Sequence, residues 1–363
     1  MYTKEEMIIF SILYSEIIQG RFVRQKYDSE LLYLVLKNSI SENINIFKDS
    51  GKTSILEKAG KEYVKTYPKK DLGKRMEIIE NLFLNFDYDK YLKKAKNELN
   101  LAEENSIKIV TLLDKNYPKN LKELSVPPFV IYYKGYLPQD RELEKSLAII
   151  GTRTPDKKYG NRIAKNLGEM LLNRGWWNIS GLATGCDEYG HIGSLGATGA
   201  ILGQGLATDL FPEQNRELAR KIIENNGFLM SELPPSTKSV NIYFILRNRL
   251  QSGLTKGIFV VETSDNSGTL HTVKYSLEQG KATYVLDVRE VADLRREEVV
   301  KGNIKLLDEK EKIAGNVTIS KKLKEKIIGV KKLRDFENIL IGKEEKINMN
   351  FSLENCAVQE KLW

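Results

Sequence analysis

The sequence predicts an α/β protein in which a mainly parallel sheet carries helices on both faces and follows an N-terminal helical region. Three observations lead to this prediction. From residue 146 onward, short apolar runs alternate with helical segments, as strands and right-handed crossovers do. Before residue 105, apolar residues recur every three or four positions, which is helical spacing. Near Asn105, β-branched runs stopped by turn residues replace that spacing.

These changes divide the chain into three predicted regions. Residues 1–105 are rich in Lys, Glu, Ile and Leu, and we expect a helical domain there. Residues 106–290 open with SIKIVTLLDKNYP and PPFVIYYKG, which read as strands, and form the α/β domain. Residues 291–363 have mixed charge and weak periodicity, so we expect a partly helical C-terminal extension.

The alternation within the α/β domain predicts six strands and five helices. The strands are expected in SLAIIG, WWNISGL, GAILGQGL, GFLMSEL, GIFVVET and ATYVLD. The helices are expected at residues 155–174, 187–197, 213–226, 243–253 and 269–280. Sheets of this kind bind ligands at the carboxyl ends of their strands, where the strand order reverses.

Composition limits the function classes. The chain has 363 residues and no apolar run near the roughly 18 residues of a membrane span. Its first residues lack the basic segment and cleavage site of a signal peptide, so we expect a cytoplasmic protein without membrane contact. Two cysteines and two histidines favour neither a disulfide framework nor a metal site. The net charge of +8 permits a polyanionic partner.

The turn after SLAIIG favours an anion contact. Thr154 is expected to cap the next helix and Pro155 to open it, which places Arg153 beside exposed helix amides. Gly151 and Thr152, which precede Arg153 in this turn, are candidates for contact with the same anion. Three further basic residues follow in the same stretch: Lys157, Lys158 and Arg162. The spacing matches neither a dinucleotide loop nor a P-loop, so neither NAD nor ATP is indicated, and we expect no cofactor.

Glycines recur at two further strand ends. SGLATGCDEYGH carries Ser180 and Gly181, and ILGQGLATDL carries Gly203 and Gly205, where the backbone can approach a partner closely. In the first of these stretches, Asp187 is expected to cap a helix, and His191 to be satisfied by a backbone or carboxylate partner. Asn215, in the FPEQNREL segment just beyond the second stretch, is a further candidate for contact with nucleic acid.

Two later segments complete the set of candidates. In FILRNRLQSGL, Arg247 and Arg249 flank Asn248 on a largely apolar helix, so at least one arginine is expected to reach a carboxylate or phosphate. Glu262 is a candidate partner. In NSGTLHT, a helix N-terminus with hydroxyl groups offers another anion site, formed by Ser267, Gly268 and Thr269.

Seven blocks in the same order are similar to the bacterial DNA-processing protein A (DprA/Smf) family, and the resemblance covers residues 111–307. The blocks are LLDKNYPKNLKELSVPPFVIYYKG, AIIGTRTPDKKYG, SGLATGCDEYGH, FPEQNRELA, RNRLQSGLTKGIFVVE, SGTLHTVKYSLEQGK and KGNIKLL. The resemblance implies a Rossmann-like domain that dimerises, binds single-stranded DNA in a basic groove and helps to load the recombinase RecA. The role that the resemblance implies is non-enzymatic and belongs to DNA processing, recombination or uptake.

The resemblance also assigns roles to residues. Arg153 is the arginine of the family's turn and is expected to contact phosphate, while Arg247 and Arg249 line the groove or brace it. Backbone amides are expected to face the DNA at Gly151, Gly181, Gly205 and Gly268.

Two other functions remain open at this point. The related phosphoribohydrolase-like group binds nucleotides at the same strand ends, and an anti-phage sensor of that kind is one alternative. Hydrolysis is disfavoured, because Thr272 stands where that group has its catalytic glutamate. The second alternative is a scaffold whose residues 1–105 bind a protein, although Tyr14, Tyr33 and Phe83 fit a core better than an interface.

Overall fold

The computed structural model describes residues 2–20, 28–156, 159–289, 297–308 and 317–345. The chain divides into two compact units. Unit 1 consists of Met1–Lys134, Leu202–Asp209 and Met230–Phe244, and unit 2 consists of Gly135–Ile201, Leu210–Leu229 and Ile245–Trp363. Unit 1 therefore extends beyond the predicted boundary at residue 105, and two segments from later in the chain belong to it.

Unit 1 is built around its first helix. Its five long helices are α1 (Lys4–Ile18), α2 (Asp28–Ser41), α3 (Lys52–Thr66), α4 (Gly73–Leu84) and α5 (Tyr88–Glu104). Thr3 caps α1 with a capping box, since Glu6 N–H donates to Thr3 Oγ1 and Thr3 N–H donates to the Glu6 carboxylate. Every residue from Glu6 to Ile17 is buried, so α1 is the central helix. Phe10 packs against Phe47 with the ring centroids 4.9 Å apart.

A hairpin follows the helices of unit 1. Strands β1 (Lys108–Thr111) and β2 (Val130–Gly135) pair antiparallel, with Lys108 opposite Tyr133 and Thr111 opposite Val130. A short helix, α6 (Lys119–Lys122), lies between them in the chain. Both strands coincide with the runs predicted after Asn105.

Unit 2 is a parallel α/β domain. Its elements are α7 (Asp140–Leu143), β3 (Ser146–Ile150), α8 (Gly160–Asn173), β4 (Trp177–Ser180), α9 (Cys186–Gly193), β5 (Thr198–Ile201), α10 (Arg216–Glu224), β6 (Phe228–Ser231), α11 (Asn241–Leu254), β7 (Gly257–Val260), α12 (Thr269–Glu278), β8 (Ala282–Leu286), α13 (Glu297–Leu307), α14 (Lys321–Lys324), β9 (Ile327–Val330) and α15 (333–345). The last residues of β6 and the first of α11 belong to unit 1. The strand order is β6-β5-β4-β3-β7-β8-β9.

Helices cover both faces of this sheet, as predicted. Successive residues of β3 point to opposite sides, as they do in any strand. Leu147 and Ile149 pack with Leu167 of α8 in one buried cluster. Ala148 and Ile150 pack on the other side, with Leu270, Val273 and Leu277 of α12. The predicted fold class, a Rossmann-like α/β sheet with an N-terminal helical domain, is confirmed.

Two helix starts differ from the prediction. Helix α8 begins at Gly160, so Thr154 does not cap it and Pro155 does not open it. A turn precedes the helix instead, because Tyr159 N–H donates to Asp156 Oδ1 at 2.9 Å. Helix α9 begins at Cys186 after Gly185, whose φ of +83° suits glycine. Asp187 is therefore inside the first turn and is not the cap.

The region after residue 290 adds a strand that was not predicted. Strand β9 pairs parallel with β8, and α15 places Phe336 and Leu340 in the core beside Tyr284. Arg174 anchors α15 through two hydrogen bonds to Glu344, of 3.0 and 2.9 Å. Mixed charge hid the short apolar run of β9, IIGV, from the sequence pattern. No helix among the described residues is long and apolar enough to cross a membrane.

Candidate nucleic-acid interface at the strand ends

The strand order of unit 2 reverses between β3 and β7, and the loops at this point touch one another. Strand β3 has β4 on one side and β7 on the other, so the connections that follow β3 and β7 turn to opposite sides. A crevice at the carboxyl ends of the strands is expected where they part. Thr269 Oγ1 donates to Gly151 O at 2.9 Å, and Cys186 N–H donates to Thr152 O at 3.2 Å. The predicted turns after β3, β4 and β7 are thus brought together.

Gly151 is required by packing within the protein. A Cβ at this position would lie 2.7 Å from Cys186 Cβ and 2.8 Å from Glu262 O. These distances are too short for any side chain, so the close approach that glycine permits is to the first turn of α9. Burial raises the pKa of the Cys186 thiol, which keeps the thiol protonated and unreactive.

The carboxylate of Glu262 lies at the start of α8. Asp156 N–H donates to Glu262 Oε2 at 2.8 Å, and a Cβ at Gly160 would overlap the same carboxylate. Thr152 N–H donates to Glu262 O at 2.7 Å. Two backbone amides that the sequence offered to an external anion near Arg153 are therefore used within the protein: that of Asp156 by the Glu262 carboxylate and that of Thr152 by the Glu262 carbonyl.

Two arginines and a tyrosine are among the side chains of the β3–α8 connection and the first turn of α8 that face solvent. Arg153 and Arg162 are exposed, and Tyr159 has 39% of its surface accessible. Among the described residues, neither guanidinium has an ion-pair partner; Arg162 lies over the Tyr159 ring, 5.8 Å from its centroid. We call Arg153, Tyr159 and Arg162 the exposed arginine patch. Lys157 and Lys158 lie outside the described residues.

The other exposed arginines of the neighbouring elements are neutralised. Arg220 of α10 pairs with Glu217 at 2.6 Å and also with Glu224, and Arg216 lies 3.7 Å from Glu213. The charge of Arg220 is thus balanced within the helix, and a carboxylate just before the helix partly balances that of Arg216. The exposed arginine patch differs from α10, because no carboxylate in the described part of the chain forms an ion pair with Arg153 or Arg162.

Arg247 is buried and braces the loops internally. Only 6% of its surface is accessible, and its Nη1 donates to Ile201 O at 2.6 Å. Its guanidinium fills the space beside Gly181, where a Cβ would overlap it. Burial, together with the charge of Arg153, lowers the pKa of Arg247 to about 10, and Asp187 opposes this shift. The nearby carboxylate is thus Asp187; Glu262, the suggested partner, bonds Asp156 N–H.

Asp187 and His191 are buried on α9 beneath the β4 turn. Asp187 Oδ2 accepts from Gly181 N–H at 3.0 Å, and burial raises the pKa of Asp187 while Arg247 opposes the shift. His191 Nδ1 lies 2.7 Å from Thr198 Oγ1, whose single proton goes to Asn178 O. Nδ1 is therefore the protonated nitrogen. Burial lowers the pKa of His191 to about 3, so the ring is neutral at pH 7.

The remaining glycines behave differently from one another. In unit 2, the Gly181 amide donates to Asp187, so it is not available to a phosphate. In unit 1, Gly205 N–H donates to Thr237 O at 2.7 Å, and a Cβ at Gly203 would lie 2.8 Å from the Phe244 ring. Gly268 alone among the glycines with predicted amide roles has open space around a built Cβ. At Gly181, Gly203 and Gly205 the backbone thus approaches other parts of the protein closely.

The other predicted residues are mostly engaged in internal bonds. Ser180 Oγ donates to Ile149 O, and Asn215 Nδ2 donates to Leu182 O at 3.0 Å. Asn248 and Arg249 are half-buried on α11, and the Arg249 carbonyl accepts from Gln279 Nε2 at 3.0 Å. Ser267 Oγ donates to Thr269 Oγ1. Thr272, at the position of the hydrolase glutamate, is buried within α12.

Sequence analysis missed two contributors to this region. Tyr159 belongs to the quoted YG turn, but its exposure depends on the late start of α8. Asn303 lies in the KGN block, and its side chain accepts from Thr263 N–H at 2.7 Å and donates to Val261 O and Leu286 O. A Cβ at Gly302 would lie 2.5 Å from Ser264 O. That block therefore locks the loop after β7.

Comparisons with known proteins agree with this architecture. The model of the family described as DNA recombination-mediator protein A matches residues 108–324. The DNA processing protein DprA of Bacillus subtilis is 33% identical over 205 residues, which cover 56% of this chain and 68% of that protein. Protein Smf of Borreliella burgdorferi is 34% identical over 200 residues, which cover 54% and 62%. The chain therefore matches about two thirds of the length of these relatives.

Two solved structures share the fold. DprA from Streptococcus pneumoniae superposes with a TM-score of 0.58 at 23% identity and covers 82% of this chain and 93% of that one. DNA processing protein A from Helicobacter pylori, solved for its single-stranded DNA binding mode, superposes with a TM-score of 0.53 at 23% identity, covering 66% and 98%. The family model spans more than half of the chain, and the seven sequence blocks fall within the same fold. The chain therefore belongs to the DNA recombination-mediator protein A family, the DprA/Smf family.

Proposed function

We propose that this protein binds single-stranded DNA at the strand ends of unit 2 and acts as a recombination mediator without catalysing a covalent step. The observation that carries the proposal is the exposed arginine patch, where two guanidinium groups lack carboxylate partners among the described residues. Guanidinium groups of this kind bind phosphates well, because their planar donors match phosphate oxygens. Arginines on α10, in contrast, are already ion-paired.

The ring of Tyr159 favours a single strand over a duplex. Bases of a single strand are free to stack on aromatic side chains, and such stacking is worth about 1–3 kcal/mol per base. Tyr159 is exposed and lies against Arg162. A phosphate at the arginines and a base at the tyrosine would together use all three members of the patch.

The biological role is part of the same proposal, and family membership supports it. We propose a cytoplasmic homodimer that protects single-stranded DNA and helps to load RecA onto it during recombination or DNA uptake. The test is RecA filament assembly on DNA that is already covered by a single-strand-binding protein. Faster assembly with this protein supports the role, and unchanged assembly contradicts it.

The binding site itself is tested by an anisotropy titration across salt concentrations. We expect the affinity for a labelled oligonucleotide to fall with salt, with a log-log slope of about 0.7 for each phosphate contacted. Arg153→Ala should reduce that slope by about 0.7 and weaken all sequences equally, because phosphate contacts carry no sequence information. Arg220→Ala is the matched control, since Arg220 is exposed but ion-paired.

The same titration separates this function from the nucleotide-binding alternative. Duplex DNA and a mononucleotide are used as competing ligands. Saturable binding of the mononucleotide with no affinity for oligonucleotides would replace the proposal with a nucleotide sensor. An unchanged slope in Arg153→Ala would remove the exposed arginine patch from the DNA site.

A further inference from the structure

Arg247 is a charged side chain with almost no access to solvent, although it stands in the RNR segment that the family resemblance assigns to a DNA groove. Its accessible fraction is 6%, and its Nη1 hydrogen bond goes to Ile201 O, at the end of β5. Reaching a phosphate from this position would require the guanidinium to leave that bond. In this position Arg247 instead holds neighbouring backbone segments in place.

The contacts of Arg247 fix the turn that follows β4. The guanidinium lies against the Cα of Gly181, so closely that no Cβ fits between them. From the other side, Asp187 Oδ2 accepts the Gly181 N–H at 3.0 Å. The turn is thus held between a buried cation and a buried carboxylate, and neither partner can be lost without leaving the other charge uncompensated.

The turn after β4 also fixes the backbone of Arg153. The Gly185 backbone passes so close to the β3–α8 loop that a Cβ would lie 2.5 Å from Thr152 O and 2.7 Å from Arg153 O. Thr184 Oγ1 donates to Arg153 O at 3.4 Å, and Cys186 N–H donates to Thr152 O at 3.2 Å. The path from Arg247 to Arg153 therefore consists of contiguous contacts.

We propose that Arg247 is a positioning residue for DNA binding: it fixes the turn 181–186, and through that turn it sets the location of Arg153 at the strand ends. This inference rests on the proposed function, because it assumes that Arg153 contacts phosphate. Of the two roles that the family resemblance leaves open for Arg247, lining the groove or bracing it, this is the second, and the contacts identify Arg153 as the residue that is braced. Three positions on the path have residue types with a clear physical reason: glycine at 181 and 185 permits close approach, and aspartate at 187 accepts the Gly181 amide.

A double-mutant cycle on the salt slope distinguishes positioning from direct contact. Arg247→Met, Arg153→Ala and the double variant are titrated with a labelled oligonucleotide, at a temperature where circular dichroism shows each of them folded. If Arg247 acts through Arg153, each single variant loses the same phosphate contact, about 0.7 in slope, and the double variant loses no more than that. Arg220→Met is the control and should leave the slope unchanged.

Two results would overturn the inference. A double variant that loses about 1.4 in slope would show that Arg247 makes its own phosphate contact. A slope of Arg247→Met equal to that of the unmodified protein would show that Arg247 does not affect Arg153. If Arg247→Met does not fold, Arg247→Lys replaces it in the cycle, because it keeps the buried charge but not the planar fork; the expected slopes are the same.

Failure of the proposed function gives a different pattern. In that case the unmodified protein shows no salt-dependent binding of the oligonucleotide, or Arg153→Ala leaves its slope unchanged. Failure of the positioning role alone leaves the slope change of Arg153→Ala intact and alters only the outcome for Arg247.

Discussion

His191 shows how burial sets the protonation state of a single side chain in this protein. The ring is fully buried, and its pKa is lowered to about 3 by burial and, to a smaller extent, by the charge of Arg247. An unfolded chain has a histidine pKa of about 6.5. Between these values the unfolded state binds a proton that the folded state does not, so acid favours unfolding.

We therefore expect stability to fall as the pH drops below about 6.5, by roughly 1.4 kcal/mol per pH unit from this one residue. Urea unfolding at pH 7 and pH 5.5 measures the loss. The control is His191→Asn, whose amide can still donate to Thr198 but does not titrate. The variant should lose less stability than the unmodified protein over this range. Equal losses would mean that His191 is accessible to protons in the folded state.

Helix α13 shows how one element secures the strand ends without belonging to the predicted site. Gly302 N–H donates to Thr263 O at 2.8 Å, and the Asn303 side chain makes three hydrogen bonds to backbone groups, two in the loop after β7 and one at the end of β8. The Asn303 side chain is completely buried. Its removal would leave three buried backbone groups without this partner. Each such group then keeps a free-energy cost of desolvation that no hydrogen bond offsets, so the folded state is strongly destabilised.

Asn303→Ala is expected to destabilise the protein by on the order of 3 kcal/mol, measured by urea unfolding. The matched control is Asn225→Ala, since Asn225 is exposed at the end of α10 and bonds only one carbonyl, Lys221 O, among the described residues. The control should cost less than about 0.5 kcal/mol. Similar losses in the two variants would contradict the anchoring role of α13.

At the scale of the whole molecule, the net charge of +8 favours a polyanionic partner, but local pairing decides where that partner can bind. Arg220 of α10, for example, is paired within its own helix. Glu213 is 80% exposed and lies two residues from Asn215, which bonds Leu182 O in the turn after β4. Its carboxylate pairs only loosely with the exposed Arg216, at an N–O distance of 3.7 Å, so its negative charge near the strand ends opposes a DNA backbone.

Glu213→Lys is expected to strengthen single-stranded DNA binding several-fold at low salt and to steepen the salt dependence, in the same anisotropy assay. Glu224→Lys makes the same change of charge at the far end of α10. The length of that helix, about 12 Å, exceeds the screening length of about 8 Å at physiological salt. Its effect should be clearly smaller. Equal effects would mean that net charge, rather than location, controls affinity.

The sequence by itself determined the strands, the helices and their alternation, because these depend on local spacing of apolar residues and on turn residues. Both strands of the hairpin and all six predicted strands of the α/β domain are present. It also determined the family, because seven blocks of residues occur in the family's order. Some residues in these blocks are required by packing, as Gly151 is by its contact with Cys186. Strand β9 and the start of α8 depended on distant partners, β8 and Glu262, which local spacing does not record.

Only the tertiary structure decided which candidate residues face solvent. Arg153 follows a strand and Arg247 lies on a helix, and the family resemblance associates both with the DNA groove, but the first is exposed and the second is enclosed by Gly181 and the end of β5. Likewise, most of the glycines that suggested contact with a ligand allow the protein to contact itself. Burial and close approach are properties of residues far apart in the chain, and they exist only once the sheet has formed.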